Sequence, residues 1–160
     1  MKIGKEFKPL ILKEYEFWAL SLSPKQLPYV GRTYAWWKDR HIGEGEKMAP
    51  WELPLSALLE LHSLVMLDVV RGLDAIGYPT QPYGERFLLN TAYLANESGH
   101  NHHMHYHFIP RVRDLLNLEK LRLTVTDERW GKNYLQPQNA PTLTHKRLLA
   151  LKAVMVEAIA

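Results

Sequence analysis

Five of the eight histidines lie within one short stretch, residues 97–111, which reads ESGHNHHMHYHFIPR. Within it, His103, His105 and His107 alternate with methionine, tyrosine and phenylalanine. Because successive side chains of a β-strand point to opposite faces, this alternation predicts a strand with three imidazoles on one face and an apolar surface on the other. The apolar surface can pack against a helix, which leaves the imidazoles facing a cleft.

A row of three imidazoles supports two kinds of chemistry. The three rings can bind a zinc-type ion as a facial set. Alternatively, one neutral imidazole attacks phosphorus while its neighbours donate hydrogen bonds to phosphate oxygens or protonate the leaving group. A histidine-rich loop that is merely solvated is the third interpretation, and the residues alone leave all three open. His100 and His102 have the wrong parity for the row, and we place them in the preceding loop.

The rest of the chain must supply a sheet that holds this strand and helices that cover it. Alternation and β-branched or aromatic content predict strands over Glu14–Ser23, Arg32–Lys38, Arg86–Asn96, His103–Ile109 (ended by Pro110) and Lys120–Asp127. Helical spacing predicts a long amphipathic helix over residues 51–76, with His62 on its apolar face, and a second helix over Thr144–Ile159. Thr142 or Thr144 is the candidate N-cap. This order predicts an α+β domain: an antiparallel sheet of about five strands, a long helix packed on it, and a C-terminal strand and helix.

Composition narrows the class of protein. The chain has 160 residues, of which 46% are hydrophobic, enough for one compact domain. It has no cysteine, which excludes thiolate ligands and a cysteine nucleophile and fits a reducing compartment. Charged residues interrupt the apolar run near the N-terminus, so we expect neither a signal peptide nor a membrane span. The formal charge of +3 suits an anionic small ligand and is too weak for a nucleic-acid surface. We therefore expect a cytoplasmic protein that binds neither membrane nor nucleic acid.

The motif HMHYHFI, residues 103–109, satisfies all seven positions of the H-φ-H-φ-H-φ-φ signature, and the chain thereby resembles the histidine-triad (HIT) superfamily. The context agrees. GRTYAWWKDRH, residues 31–41, is similar to the family's strand that ends in a basic tract and a histidine. A long helix follows, and LLNTAYLANE, residues 88–97, is similar to the asparagine-containing strand before the triad. The resemblance covers about residues 14–111.

The resemblance implies roles for the histidines. His105 corresponds to the nucleophile that forms a nucleotidyl-imidazole intermediate, and His107 to the histidine that contacts the phosphate and the leaving group. The backbone around His103 would help to orient His105. His41 matches the upstream histidine near the same phosphate.

Further candidates for phosphate binding follow from the same resemblance or from position. Asn90 or Asn96 matches the family's asparagine, and the choice between them stays open. Many relatives carry glutamine or serine three to four residues before the first triad histidine. Here those positions hold Gly99 and His100, and Ser98 lies one step further back. Arg111 follows the triad and could reach a phosphate, although a salt bridge explains it equally well.

The resulting hypothesis is a nucleotide hydrolase or nucleotidyl transferase. It would cleave at the α-phosphate of a nucleoside phosphate, AMP-X or a dinucleoside polyphosphate, through a nucleotidyl-histidine intermediate. The resemblance implies a HIT-like domain over residues 1–111, with residues 112–160 as an extension packed on it, a purine nucleotide substrate and a homodimer. The histidine chemistry requires no cofactor or metal, although a divalent cation could accompany a polyphosphate substrate. The alternatives are a metal-dependent three-histidine enzyme and a nucleotide-binding module with little catalysis.

Tryptophans provide one more expectation. Trp36 and Trp37 fall on opposite faces of the predicted strand over Arg32–Lys38. One of them should belong to the core, and the other could stack on a nucleobase.

Overall fold

The structure is a computed structural model that describes residues 8–38, 50–94, 104–133 and 142–160. Within these ranges the strands are β1 (Ile11–Glu14), β2 (Trp18–Leu22), β3 (Thr33–Trp37), β4 (Phe87–Leu94), β5 (His105–Val112), β6 (Leu116–Leu118) and β7 (Leu123–Val125). The helices are α1 (Leu55–Leu59), a π-helical segment (Glu60–Val65), α2 (Met66–Ile76) and α3 (His145–Ile159). Short 3₁₀ turns lie at Lys8–Leu10, Pro50–Glu52 and Glu119–Leu121.

The first five strands form one antiparallel sheet in the order β1-β2-β3-β5-β4. The predicted fold class is confirmed: the domain is α+β, with a five-stranded antiparallel sheet, a long helix and a C-terminal helix. The strand predicted over Glu14–Ser23 is shorter, because β2 covers Trp18–Leu22 and residues 15–17 form the turn of a hairpin between β1 and β2. The carboxylate of Glu60 accepts hydrogen bonds from the backbone N–H groups of this turn at 2.8–3.1 Å. A charged side chain remote in sequence therefore stabilises the turn.

Strand β5 does not end before Pro110 as predicted but continues to Val112. Its pairing with β3 stops at Phe108, whereas its pairing with β4 continues to the end. Among the described strands, Pro110 therefore pairs with β4 alone. A proline is tolerated at such an edge-like position because its missing N–H breaks no central ladder.

The long helix buries the predicted face in its C-terminal part only. Val65, Val69 and Leu73 belong to that predicted apolar face and are buried. In the N-terminal part, Leu55, Leu59 and His62 were also predicted on that face but are exposed, and Ala57 and Leu61 are buried instead. A π-helical turn holds more residues than an α-helical turn, so the segment Glu60–Val65 rotates α1 relative to α2. A pattern analysed at 3.6 residues per turn does not detect this rotation.

The C-terminal part of the chain contains a small hairpin and a helix. β6 and β7 pair with each other in a separate two-stranded sheet, so the strand predicted over Lys120–Asp127 is shortened to Leu123–Val125. Helix α3 begins as predicted, and its N-cap Thr144 accepts a hydrogen bond from the backbone N–H of Arg147. Met155 of α3 packs against Gly72 of α2, where a Cβ would meet the Met155 Cε at 2.7 Å.

The main core lies between one face of the sheet and the helices. It includes Trp18, Leu20, Trp37 and Phe108 from the sheet and Val65, Val69, Leu73, Leu151 and Met155 from the helices. The other face of the sheet carries a smaller buried cluster of Ala19, Tyr34 and Trp36. Among the described residues, none of the helices has the length and apolar character needed to cross a membrane.

Candidate functional site

His105 and His107 lie on the sheet face opposite the main core. In the register of the sheet, His105 is opposite Trp36 and His107 is opposite Tyr34, so the four rings share one face. Phe108 points to the other face and belongs to the main core. Strand parity thus separates the imidazoles from the apolar side chains that anchor β5.

The two imidazoles are adjacent and buried. Their ring centroids are 4.8 Å apart, and the residues are 3% and 5% exposed. Trp36 stacks on His105 with centroids 4.8 Å apart and an interplanar angle of 26°. Tyr34 contacts His107 edge to face at 4.4 Å. The surrounding aromatic rings restrict how either imidazole can turn.

Arg32, at the residue before β3, donates a hydrogen bond from Nη2 to Nδ1 of His107 at 2.8 Å. A guanidinium has donors and no acceptor, so Nδ1 of His107 must act as the acceptor. The neutral ring therefore carries its proton on Nε2. That Nε2 is buried and makes no hydrogen bond with the part of the chain that the structure describes.

The environment keeps His107 uncharged. Burial, the Arg32 guanidinium and neighbouring His105 together lower the pKa of His107 to about 3. Burial is the largest cause, because it penalises the charged imidazolium. At neutral pH this ring is a hydrogen-bond donor with no net charge.

Asn90 stands on the same sheet face, in the middle of β4. It is half-buried and lies opposite Ile109, two residues from His107 along the neighbouring strand. Directly opposite residues of an antiparallel pair project to the same side of the sheet. Of the two asparagines left open by the sequence, this one has a described place beside the imidazoles.

Arg111 is 3% exposed and contacts the C-terminal region. Its Nε forms an ion pair with the carboxylate of Asp127, and its Nη atoms donate to the backbone carbonyls of Lys132 and Arg129. The guanidinium also lies 5.5 Å from the centre of the Tyr29 ring. These contacts engage the donors that phosphate binding would need, so Arg111 holds the segment 127–133 on the domain.

Five predicted site residues lie outside the described residues: His41, Asn96, Ser98, His100 and His103. The predicted three-histidine metal site also lies outside the described residues, because it requires His103. Within the described ranges, no group of three histidine, aspartate or glutamate side chains could hold a metal ion.

Sequence reasoning missed Arg32 and Tyr34. Both share the parity of Trp36 in RTYAWWK, so their common face was available from the sequence. No signal in the sequence shows that this strand pairs with the histidine strand or in which register. The pairing alone brings Arg32 to His107 across 75 residues of sequence.

Comparison with known proteins finds similarity in structure but none in sequence. No family model matches the chain, and no curated protein matches it significantly. Among solved structures, a hypothetical histidine triad nucleotide-binding protein from Sulfolobus tokodaii aligns with a TM-score of 0.56. The alignment covers 94% of this chain and 83% of that chain at 18% sequence identity.

The chain has a HIT-like fold. Sequence identity this low shows the fold alone. Because the alignment covers 94% of this chain, the unaligned residues are fewer than residues 112–160. The structural similarity therefore continues into the C-terminal part of the chain. β5 carries His105 and His107 together with the other residues of the last five motif positions, 105–109.

Proposed function

We propose that this protein binds a nucleoside phosphate and cleaves it at the α-phosphate through His105. The observation that carries the proposal is the pair of buried, neighbouring imidazoles on one strand face, of which His107 presents an Nε2–H. The HIT-like fold and the nucleotide-binding description of the relative from Sulfolobus tokodaii support the same substrate class. A purine nucleotide of the AMP-X or dinucleoside polyphosphate type is the substrate that the motif implies.

The proposed reaction has two displacements. A ring nitrogen of His105 attacks phosphorus, a P–N bond forms, and the bond from phosphorus to the leaving group breaks. The Nε2–H of His107 donates a hydrogen bond to an oxygen of the phosphoryl or leaving group and stabilises the developing charge. Water, or a second acceptor in a transferase, then attacks phosphorus, and the P–N bond breaks to free His105. Burial of both rings excludes bulk water from the first step.

The other predicted residues keep their roles as part of the proposal. Asn90 is the described candidate for a phosphate contact, because it shares the imidazoles' sheet face. His41, His103, Asn96, Ser98 and His100 stay predictions from the motif and its context.

The deciding experiment is mass-spectrometric trapping of a nucleotidyl adduct. After rapid acid-free quenching of the reaction with an AMP-X substrate, the adduct should map to the peptide that contains His105. His105→Asn should abolish the adduct and lower kcat by roughly 10⁴-fold or more, the scale of losing a nucleophile. His145→Gln, at an exposed histidine of α3, is the matched control and should leave both unchanged. Near-normal turnover in His105→Asn would overturn the proposal.

A three-histidine metal site is the main competitor, and the Arg32 contact argues against it. A metal binds the lone pair of a ring nitrogen, but Nδ1 of His107 is engaged by Arg32 and Nε2 carries the proton. The guanidinium also places a positive charge beside any cation held there. Activity that survives dialysis against a chelator would agree with the nucleophile, and stoichiometric bound zinc with chelator-sensitive activity would restore the metal site.

A nucleotide-binding module with little catalysis is the third candidate. It shares the site and differs only in turnover. Tight nucleotide binding by calorimetry, with neither product nor adduct across a broad panel of nucleotides, would favour it over the enzyme.

We also propose that the protein is a homodimer, as the motif implies. Leu55 and Leu59 are 70% and 58% exposed, one turn apart on α1, and Trp51 in the preceding 3₁₀ turn is 85% exposed. Among the described strands, β4 lies at an edge of the sheet. Exposed apolar stripes and free strand edges are the features that association covers. Light scattering should give twice the chain mass, and Leu55→Glu together with Leu59→Glu should shift it toward the monomer. A wild-type monomer at high concentration would contradict this proposal.

A further inference from the structure

Arg32 is a buried arginine whose backbone is held in place by a loop. The residue is 2% exposed. Its N–H donates to the carbonyl of Tyr29, and its carbonyl accepts from the N–H of Ser23 and from Nε2 of Gln26. The amide oxygen of Gln26 accepts from the N–H of Gly31 at 2.6 Å. This network fixes where the Arg32 side chain begins.

The guanidinium of Arg32 is directed at the site. Its Nη2 donates to Nδ1 of His107 at 2.8 Å, and its centre lies 5.1 Å from the centre of the Tyr34 ring. Tyr34 itself contacts both imidazoles edge to face. The side chain is therefore held between an aromatic ring and the imidazole that it contacts.

The contact selects one of the two neutral forms of His107. If Nδ1 carried the proton, an N–H of the ring would face an N–H of the guanidinium and the hydrogen bond would be lost. If both nitrogens were protonated, two positive charges would meet in a buried site. With the proton on Nε2, the hydrogen bond forms and the ring offers a single donor on its far side.

We propose that Arg32 is a positioning residue, which holds His107 in the Nε2–H form and so makes it a hydrogen-bond donor to an oxyanion of the substrate. The proposal rests on the proposed function for the identity of that oxyanion, a phosphoryl or leaving-group oxygen. A buried N–H without an acceptor among the described residues is costly, and an anionic oxygen would relieve that cost. The wrong tautomer would turn a lone pair toward the same oxygen and repel it.

The first test is spectroscopic and needs no substrate. In a ¹⁵N-labelled sample, with His107→Gln used to assign the signals, Nδ1 of His107 should resonate as an unprotonated nitrogen and Nε2 as a protonated one at neutral pH. In Arg32→Met the two tautomers should mix, and the ring should titrate at a higher pH. Arg32→Lys, which can still donate, should restore part of the wild-type signature. Among the described residues, the other titratable groups that face this ring are His105 and Tyr34.

The second test is kinetic. Arg32→Met should lower kcat roughly tenfold to a hundredfold, the scale of one hydrogen bond to a charged group, with a smaller change in KM. Arg71→Met is the matched control, because Arg71 is an arginine of α2 with a mostly exposed side chain and should leave kcat unchanged.

The outcomes separate the two proposals. A wild-type His107 protonated on Nδ1, or a tautomer that stays unchanged in Arg32→Met, would overturn the role of Arg32 even if His105 proves to be the nucleophile. The expected tautomer without nucleotide turnover would overturn the proposed function and leave the role of Arg32 intact. If Arg32→Met does not fold, the wild-type spectrum and Arg32→Lys still decide.

Discussion

The indole of Trp36 stacks on the imidazole of His105, with 4.8 Å between the ring centroids and 26° between the ring planes. The two residues are directly opposite in the register of β3 and β5. The indole Nε1 donates to the hydroxyl of Ser21 at 2.7 Å, so a third strand contributes to holding the indole. The expectation that one tryptophan of the pair belongs to the core is met by Trp37, which is 1% exposed within the main core. Stacking of Trp36 on a nucleobase stays a prediction.

This stack predicts that Trp36 holds the imidazole ring of His105 in the orientation that turnover requires. Trp36→Leu should lower kcat by roughly three- to tenfold, the scale of an aromatic pair, while Trp36→Phe should retain most of the activity. Turnover and substrate-saturation curves measure both. Trp37→Phe, on the opposite face of β3, is the control. It should lower the free energy of unfolding with little change in kcat. Equal kcat in Trp36→Leu and wild type would show that the stack does not orient His105 for turnover.

The buried ion pair between Arg111 and Asp127 predicts a role in stability. Asp127→Asn or Arg111→Met should each cost roughly 3–5 kcal/mol of unfolding free energy, because each leaves an uncompensated buried charge or broken network. The double variant should cost less than the two together. Urea denaturation measures these losses. At a temperature where Arg111→Met is folded, its KM for the nucleotide should match that of wild type. If this variant instead had wild-type stability and a KM raised tenfold or more, Arg111 would be a phosphate ligand.

The neutral state of His107 predicts a pH dependence of stability. Its pKa is about 3 in the folded protein, against 6.5 for a histidine exposed to water in an unfolded chain, so between these values the unfolded chain binds more protons. Stability from this group is fully present above about pH 6.5 and declines as the pH falls toward 3. Between pH 7 and pH 5, wild type should lose about 2 kcal/mol more than His107→Gln. Urea titrations at the two pH values measure the difference, with His145→Gln as a control that should behave as wild type. Equal losses of unfolding free energy in wild type and His107→Gln would refute the predicted contribution of His107.

The close approach of Gly31 to the long helix predicts a steric requirement for glycine. Gly31 has a φ of +90°, and a Cβ there would lie 2.5 Å from Cδ2 of the buried Leu73. Gly84 has a similar φ of +94° with open space around its missing Cβ. Gly84→Ala should cost roughly 1–2 kcal/mol from backbone strain alone. Gly31→Ala should cost roughly 1–3 kcal/mol more from overpacking, and thermal unfolding of both variants gives the difference. Equal losses would mean that Leu73 moves aside freely.

The sequence determined what depends on neighbours along the chain. Strand parity separated His105 and His107 from the apolar side of β5, because alternation is a property of every extended segment. Helix α3 and its Thr144 cap followed from local spacing and capping chemistry. The seven-residue motif with its context indicated the HIT-like fold. In each case the predicted feature depends on residues a few positions apart.

The tertiary structure decided which distant residues meet. The alternation on β3 was visible, but only strand pairing brings Trp36 to His105 and Arg32 to His107, since register is set across the whole sheet. The partner of Arg111 is equally non-local, because Asp127 arrives with the chain beyond the β6–β7 hairpin. The π-helical segment rotated α1, so Leu55 and Leu59, which the 3.6-residue period had placed in the core, face solvent. The candidate nucleophile could thus be named from a motif, whereas the residues that surround His105 and His107 could be found only after the strands were paired.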